Sequence, residues 1–450
     1  MGKKYIIAGA GFRGFCDAME LSKIPGAEVT IVESAPFFGG LMHSLEIGGF
    51  FVDKGVHVFD SIPMDLADIV NEIMDGQTHK IEFVSASAFN GKVTDVYSLP
   101  DLNSLDDEAI KQQIKTELLQ MAENPPWDAS PKNLHELFET RYGKTAAKIY
   151  SAIFKKVYDI ESVQVEPNAI AQTSMGRMKF LDDEQMIELK HSSEWLESVL
   201  AARRMAVGKV DDLVSIYPSD GHAMKGWCDR ASKWLEAKGV RICLGEKIES
   251  IEENTDGVTM TTSKQKIDAD HVIWSNDNVA GLGQALDIDA AEVNEHHYGT
   301  PMLFMTMMTR ADQIKDFTYL QNFEPDALTY RTAAAGIYSH QNTNGVSFVT
   351  SECPVTLNSE RWNNADDLIP EVWQEIKDLG IVDEDAELVD SNALRIPSTF
   401  KLAKLGYGEQ IDRFNREVAS KYDRVLLRNV VPFFRRDIYL DSLKLRSLVE

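Results

Sequence analysis

A glycine-rich loop between a short apolar strand and a helix is the feature that most constrains the fold of this chain. Residues Lys4–Ala8 read KYIIA, and the loop GAGFRG follows at once at residues 9–14. A helix-compatible segment comes next, and Glu28–Glu33 (EVTIVE) forms a second strand-like run that ends in an acid. This order of strand, glycine turn, helix, strand and acid is typical of a dinucleotide-binding domain, in which the acid follows the loop by about 20 residues.

Each residue type in this segment has a physical role. Gly9 permits the tight turn, Gly11 lets the backbone approach a pyrophosphate, and Gly14 lets the helix pack closely on the strand. The first-turn N–H groups and the helix dipole then favour the anion. Glu33 is suited to accept hydrogen bonds from a ribose diol, and we expect Ser34 beside it to contact the cofactor.

The next segment indicates which dinucleotide is bound. A second glycine pair, Gly39-Gly40, follows the acid closely. Residues 45–59 then read LEIGGFFVDKGVHVF, which predicts two alternating strands around a Gly48-Gly49 turn. A plain nicotinamide domain has no evident need for a second glycine site, so this segment favours FAD.

With these motifs the sequence resembles the FAD-dependent family of amine oxidases, protoporphyrinogen oxidase, phytoene desaturases and UDP-galactopyranose mutase. That family carries a glycine pair after the ribose acid and then a D-x-G-x-H hairpin, which Asp53, Gly55 and His57 match. The resemblance implies a catalytic place for His57 beside the flavin; a hydrogen-bonded, partly buried histidine is the alternative. It also implies cofactor contacts for Gly40, Leu41 and Val56. Many oxidases of the family have Arg where this chain has Leu41, which weighs against a pure oxidase.

Residues 60–204 read as largely helical, with the longest apolar periodicity over Leu134–Tyr158. The order of motifs resembles the mutase-like, glycan-associated branch of the family. Residues 155–158 (KKVY) match a segment of that branch, although Asp159 stands where glycine is usual. The resemblance places Gly176-Arg177-Met178 on the wall of the substrate cavity and implies that Arg177 binds substrate.

Apolar runs after residue 300 predict strands of a separate sheet. They are Pro301–Met308, Phe317–Asn322, Leu328–Ser339 and Val346–Glu352. Within them Tyr330-Arg331 resembles a substrate-binding pair of the same branch, and Arg331 is also our candidate catalytic arginine. An Arg can bind a phosphate with two parallel hydrogen bonds, whereas the alternative role is that of a surface strand residue.

A strand at Arg424–Leu427 and a helix over Ile438–Val449, with Asp437 as its N-cap, are predicted near the C-terminus. In the resembled family this strand, turn and helix reach the flavin ring. The resemblance therefore implies that Arg435 and Asp437 bind the cofactor and that Arg436 binds substrate. Phe433 and Phe434 are candidates for an apolar pocket there.

The predicted fold class is α/β, a Rossmann-like FAD-binding domain with a helical cap and a mixed β-sheet substrate domain. The FAD-binding domain is predicted from residues 1–60, 205–295 and 400–450. Residues 61–204 are expected to form the mainly helical cap, and residues 296–399 the substrate sheet.

Composition limits the partners. The net charge of −25 opposes binding to nucleic acid or an anionic membrane, and no apolar run is long enough for a membrane span. The four cysteines have no paired spacing, which predicts buried free thiols in a reducing cytoplasm. Neither a metal site nor a nucleophilic triad is expected from the scattered histidines. A small molecule, expected to be a phosphorylated sugar, is the predicted partner, and the oligomeric state stays open.

Three functions follow from the resemblance. The first is an enzyme acting on a nucleotide-linked or lipid-linked sugar, similar to UDP-galactopyranose mutase, in which reduced flavin attacks the anomeric carbon. The second is an amine oxidase or desaturase that passes a hydride to FAD. The third is a flavin-binding protein without catalysis.

Overall fold

The chain forms two compact units in a computed structural model that describes residues 2–95, 97–202, 213–430, 432 and 434–449. The first unit is assembled from three segments, Met1–Ile81, Asp211–His296 and Gly408–Glu450. The second comprises Glu82–Val210 and His297–Tyr407. Both units mix helices and sheets, so the predicted α/β class is confirmed.

A parallel sheet forms the centre of the first unit, and its described part has five strands. The middle strand is Lys4–Ala8, whose apolar residues are almost fully buried, as strands of a parallel sheet covered on both faces are. In spatial order the strands are Arg241–Leu244, Glu28–Glu33, Lys4–Ala8, His271–Trp274 and Val425–Leu427.

Helices and small sheets complete this unit. Its helices are Phe12–Leu21, Met64–Ile73, Ala223–Ala237, Val279–Leu286, Ala291–Glu295, most of Tyr407–Lys421, Arg435–Ser442 and Arg446–Val449. The predicted hairpin is present as Leu45–Ile47 paired with Phe50–Val52. Two further antiparallel sheets contain Phe59–Pro63, Leu213–Pro218 and Thr78–Lys80, and Ile248–Glu253, Val258–Thr262 and Lys266–Ala269.

A mixed sheet, with seven strands in the described part of the chain, forms one layer of the second unit. Its pairs are antiparallel except for Ser85–Phe89 with Tyr319–Asn322, which are parallel. In spatial order the strands are Asp390–Ile396, Met302–Arg310, Val346–Pro354, Arg331–Ala333, Tyr319–Asn322, Ser85–Phe89 and Lys92–Asp95. A short ladder joins His297–Gly299 to Lys401–Ala403.

The helices of the second unit pack in two places: those before residue 200 surround a buried aromatic core that includes Phe138, Tyr142, Tyr150 and Phe154, and those after residue 330 pack on a second cluster that includes Val372 and Trp373. They are Glu108–Glu123, Leu134–Tyr158, Asp183–Ser192, Glu194–Val199, Ala335–Tyr338, Glu360–Asn363 and Ile369–Asp378. The long helix is kinked at Gly143, whose φ of 81° is not helical. Glu117 accepts hydrogen bonds from the Thr145 N–H (2.9 Å) and hydroxyl (2.6 Å), so it caps the second half of that helix.

Three sequence expectations need correction or limits. Residues 61–95 contain more strand than helix, so this first part of the segment predicted to be mainly helical departs from the prediction; the short runs between turns concealed the strands. Within Leu328–Ser339 only Arg331–Ala333 is a strand, and Ala335–Tyr338 is helical. The predicted boundary near residue 205 lies outside the described residues, and the division into three domains stays a prediction.

Two other findings concern composition. All four cysteines are buried and free, as predicted. No helix among the described residues is both long and apolar enough to cross a bilayer.

Candidate functional site

The glycine loop has the geometry of an anion site. Gly9 adopts a φ of 109°, which favours glycine, and its N–H donates to Val32 O at 2.9 Å. A Cβ on Gly14 would lie 1.9 Å from Gly9 O, whereas a Cβ on Gly11 would meet open space. The helix Phe12–Leu21 begins after Gly11 without a side-chain cap and without an acid in its first turn. Its positive end is therefore available to an anionic ligand.

Glu33 lies against this loop, as the sequence predicts for a ribose-binding acid. Its Oε2 accepts a hydrogen bond from the Ala10 N–H at 2.9 Å, and Oε1 accepts one from Ala35 N–H at 2.8 Å. The Ser34 hydroxyl also donates to Oε1, at 3.1 Å. These contacts fix the carboxylate beside the loop.

The second glycine pair packs directly on the first loop. Gly39 N–H donates to Ala10 O at 2.8 Å, and a Cβ on Gly40 would lie 3.3 Å from Gly11 Cα. Gly39 has a φ of 109°, and a Cβ there would lie 2.2 Å from Cys228 Sγ. Leu41 follows with a side chain that is 74% exposed. The structure thus brings Gly40 and its neighbours together with the dinucleotide loop, although the two segments are far apart in sequence.

Asp53 anchors the predicted D-x-G-x-H segment from inside the protein. Its carboxylate accepts hydrogen bonds from the Ser44 hydroxyl at 2.5 Å, the Tyr217 hydroxyl at 2.5 Å and the Met224 N–H at 3.3 Å. Burial raises the pKa of Asp53 to about 6, and the hydrogen bonds oppose that rise. Sequence reasoning missed Ser44 and Tyr217, since nothing in the sequence links either residue to Asp53.

A contact between His57 and Arg435 joins the segment after the N-terminal hairpin to the C-terminal helix. An Arg435 Nη2 lies 3.1 Å from His57 Nδ1, and Nη1 donates to Val58 O at 2.8 Å. The guanidinium also lies 5.9 Å from the centre of the Phe59 ring. Val56, which precedes this pair, is half-buried. Burial lowers the pKa of Arg435 to about 10.

The C-terminal helix differs from its prediction. It begins at Arg435, with Phe434 as its N-cap, because the backbone turns helical two residues before Asp437. Asp437 lies in the first turn and accepts a 3.1 Å hydrogen bond from Arg436 Nε. The helix ends at Ser442, and Arg446–Val449 is a separate short helix. Phe434 is exposed, and Phe433 lies outside the described residues.

A buried ionic cluster, which the sequence did not reveal, joins the glycine-loop helix to the C-terminal helix. Arg13 Nη1 and Arg428 Nη2 each donate to Asp441 Oδ2 at 2.6 Å. Arg428 also lies 3.7 Å from the buried Asp17, which accepts from the Ser275 hydroxyl at 2.6 Å. Burial raises the pKa of Asp17.

The predicted substrate residues of the second unit are already in contact with protein groups. Arg331 Nε and Nη2 donate to Glu352 Oε1 at 2.9 and 2.6 Å. Tyr330 is buried, and its hydroxyl accepts from Gln321 Nε2 at 2.8 Å. Arg177 Nη1 donates to the carbonyls of Glu197 and Leu200 at the end of a helix. The structure places Tyr330 and Arg331 side by side, and no described contact links either one to Arg177.

One cavity of about 260 Å³ opens in the second unit. It is lined by Lys156, Asp159, Pro354, Val355, Thr356, Ser359, Glu360 and Arg361. Lys156 Nζ donates to the carbonyls of Asn322 and Thr329 at 2.9 and 2.7 Å, and burial lowers its pKa to about 8. Among the described residues, no group of His, Cys, Asp or Glu side chains is arranged to hold a metal ion.

Comparison with known proteins gives the same fold. Residues 7–73 match the NAD(P)-binding Rossmann-like domain family. The chain is similar to a reduced UDP-galactopyranose mutase, with a TM-score of 0.74 and 15% identity over 100% of this chain and 94% of that one. None of the curated proteins matches the sequence.

Two further solved structures extend the likeness. A candidate protoporphyrinogen oxidase from Exiguobacterium sp. 255-15 gives a TM-score of 0.69 and 16% identity, covering 100% and 99% of the two chains. Putrescine oxidase bound to putrescine gives 0.64 and 12%, covering 100% and 99%. Residues 7–73 therefore match a Rossmann-like dinucleotide-binding domain, and the whole chain has the fold of these three structures.

Proposed function

We propose that the chain binds FAD at the Gly9–Gly14 loop and is an FAD-dependent enzyme acting on a nucleotide-linked or lipid-linked sugar. The observation that carries the sugar assignment is the likeness to reduced UDP-galactopyranose mutase, which spans nearly all of both chains. Two structures with oxidase names give lower TM-scores over the same length.

The residues at the glycine loop fit the cofactor. The uncapped helix start suits a pyrophosphate, and the open space at Gly11 permits its approach. Glu33 keeps a carboxylate at the loop for the ribose hydroxyls of the adenosine half. The packing of Gly39 and Gly40 on the same loop supports FAD over a nicotinamide dinucleotide.

FAD, when bound in its reduced form, would supply a nucleophile for the anomeric carbon of the sugar. We assign hydrogen bonding near the flavin and binding of the substrate to side chains of the protein. His57 would donate a hydrogen bond near the flavin, and Arg177, Arg331 and Arg436 would bind phosphate oxygens of the substrate. Glu352 already orients Arg331 through two hydrogen bonds, which leaves its other N–H groups for the phosphate.

The test is sugar turnover by the purified full chain with UDP-galactopyranose, before and after dithionite reduction. Mass spectrometry of the released ligand first identifies the cofactor. Formation of the ring-contracted sugar only after reduction supports the proposal, and equal turnover with oxidised flavin contradicts it. Retained FAD with no sugar turnover in either state, and no oxygen consumption with amines, favours the non-catalytic alternative.

A matched pair of variants tests the arginine. Arg331→Met should lower kcat/KM by about tenfold or more, because it removes the guanidinium N–H groups that are proposed to bind the substrate phosphate. Arg310→Met is the control, since Arg310 is also paired with an acid but is well exposed and lies outside the proposed site. Equal effects of the two substitutions on kcat/KM would contradict the assignment of Arg331 to the substrate site.

The second candidate is an oxidase that accepts a hydride from an amine, which the likeness to putrescine oxidase favours. Oxygen consumption with peroxide release on addition of amines would support it. Absence of both, with sugar turnover present, excludes it.

A further inference from the structure

The contact between Arg435 and the His57 segment has a chemical consequence for the imidazole. Arg435 is the first residue of the C-terminal helix, and its two Nη atoms bond to consecutive residues, His57 Nδ1 and Val58 O. One rigid, planar group therefore fixes both a side chain and the backbone next to it.

The direction of this hydrogen bond is set by the partners. A guanidinium has N–H donors and no acceptor, so His57 Nδ1 must offer its lone pair. A neutral imidazole with a bare Nδ1 carries its hydrogen on Nε2. Burial lowers the pKa of Arg435 only to about 10, so the guanidinium is still charged at neutral pH. A second proton on the imidazole would remove the lone pair and place two cations in contact.

The segment is also held at its other end. Asp53 accepts three hydrogen bonds from Ser44, Tyr217 and Met224, four residues before His57. Gly55 between them has a φ of 108°, which sets the turn of the chain. With both ends fixed, the imidazole has a defined position as well as a defined tautomer.

We infer that Arg435 is a positioning residue, which holds His57 as a neutral imidazole with its hydrogen on Nε2. The Nδ1 of His57 then does not act as a base. The inference rests on the proposed function for the place of the flavin. It changes the role of Arg435 from a direct cofactor contact to one that acts through His57.

The tautomer can be measured directly. In the full chain with its retained flavin and ¹⁵N-labelled histidine rings, two-bond ¹H–¹⁵N correlations distinguish a bare ring nitrogen from a protonated one. His57→Gln identifies the signals of this residue among the ten histidines. We expect a bare Nδ1 and a protonated Nε2 at neutral pH. A hydrogen on Nδ1, or on both nitrogens, overturns the inference.

Variants test whether Arg435 is the cause. Arg435→Met should give a mixture of the two tautomers and a shifted visible flavin spectrum, and Arg435→Lys should restore part of the wild-type pattern. Arg413→Met is the control, because it removes an exposed arginine that is paired with an acid, Glu292, but has no place in the proposed site, and it should leave the tautomer unchanged. An unchanged tautomer in Arg435→Met contradicts the inference.

The outcomes are separable from those of the proposed function. If Arg435→Met fails to fold, the wild-type tautomer and Arg435→Lys still decide the matter. The measurement needs no substrate, so a wrong sugar class does not affect it. A chain that retains no flavin disproves the proposed cofactor and is recognised by its lack of visible absorbance.

Discussion

At the scale of single residues, the glycine loop separates two demands that a glycine can meet. Gly14 is required by the fold, because a Cβ there would lie 1.9 Å from the Gly9 carbonyl. Gly11 faces open space, and its φ of −75° suits any residue. The two glycines therefore leave room for different things: Gly14 for the packing of the protein itself, and Gly11 for the proposed ligand.

Alanine substitutions should therefore have different effects at these two glycines. We expect Gly14→Ala to reduce the free energy of unfolding by about 1–3 kcal/mol through overpacking, and to weaken FAD binding as well. Gly11→Ala should leave the melting temperature of the apo-protein close to wild type and weaken only FAD binding, because its methyl group occupies the ligand's path. Thermal unfolding and flavin titration of the apo-proteins measure both. Equal destabilisation by the two variants would contradict this separation.

The raised pKa of Asp53 predicts that the stability of the protein depends on pH. Its pKa is raised to about 6 by burial, so the folded state binds a proton more tightly than the unfolded chain. Stability that depends on this proton is present below the unfolded pKa of about 4 and is lost as pH rises through 6.

The measurement is urea unfolding of wild type and Asp53→Asn at pH 4.5 and at pH 7.5. The advantage of wild type over Asp53→Asn should shrink with rising pH, by at most about 3 kcal/mol. Taking the difference between the two proteins removes the titration of the other acids. An advantage that grows with pH would show that the carboxylate is stabilised in its charged form.

At the scale of elements, the cluster of Arg13, Arg428 and Asp441 fastens the C-terminal helix to the glycine-loop helix. The two arginine side chains are only 3% and 6% exposed, so their shared carboxylate is an important counter-charge. Removing it would leave two buried cations short of a partner, which is far more costly than losing a surface ion pair.

Asp441→Ala should accordingly lower the free energy of unfolding by about 3 kcal/mol and increase protease cleavage near the C-terminus. The matched control is Lys444→Ala, because Lys444 is exposed just beyond the same helix and should change stability by less than about 0.5 kcal/mol. Urea unfolding and limited proteolysis measure the two effects. A loss for Asp441→Ala as small as that of the control would mean that water already compensates the arginines.

Elements with strong local signals were predictable from sequence. Lys4–Ala8, Glu28–Glu33 and Leu134–Tyr158 match their predicted bounds, since apolar periodicity and glycine turns act locally. Ser85–Phe89 was missed because a short strand depends on pairing with Tyr319–Asn322, distant in sequence. Because its spacing is local, the contact of Glu33 with the glycine loop was predictable from sequence, whereas the contacts of Ser44 and Tyr217 with Asp53, and of Arg435 with His57, required the tertiary structure.

At the scale of the whole molecule, the net charge of −25 opposes the approach of an anionic cofactor. In the proposed complex, local N–H groups would bind the pyrophosphate at contact, whereas the long-range field of the acidic protein would repel it. We expect FAD association to become severalfold faster as ionic strength rises from about 0.01 to 0.15 M, because salt shortens the Debye length to about 8 Å. Stopped-flow quenching of flavin fluorescence with the apo-protein measures this rate. An association rate that falls as salt is added would indicate that basic side chains around the site attract the cofactor.

The parallel sheet of the first unit has its strands distributed along the entire chain. Lys4–Ala8 is made first, but the sheet is complete only when Val425–Leu427 pairs with His271–Trp274. During synthesis, His271–Trp274 therefore stays an edge strand while the second segment of the second unit, His297–Tyr407, is translated. A ribosome that stops before residue 425 would release a chain with an open edge and no C-terminal helix. Such a product would be a target for chaperones and proteases, so this order of strands makes the five-stranded sheet depend on translation through residue 427.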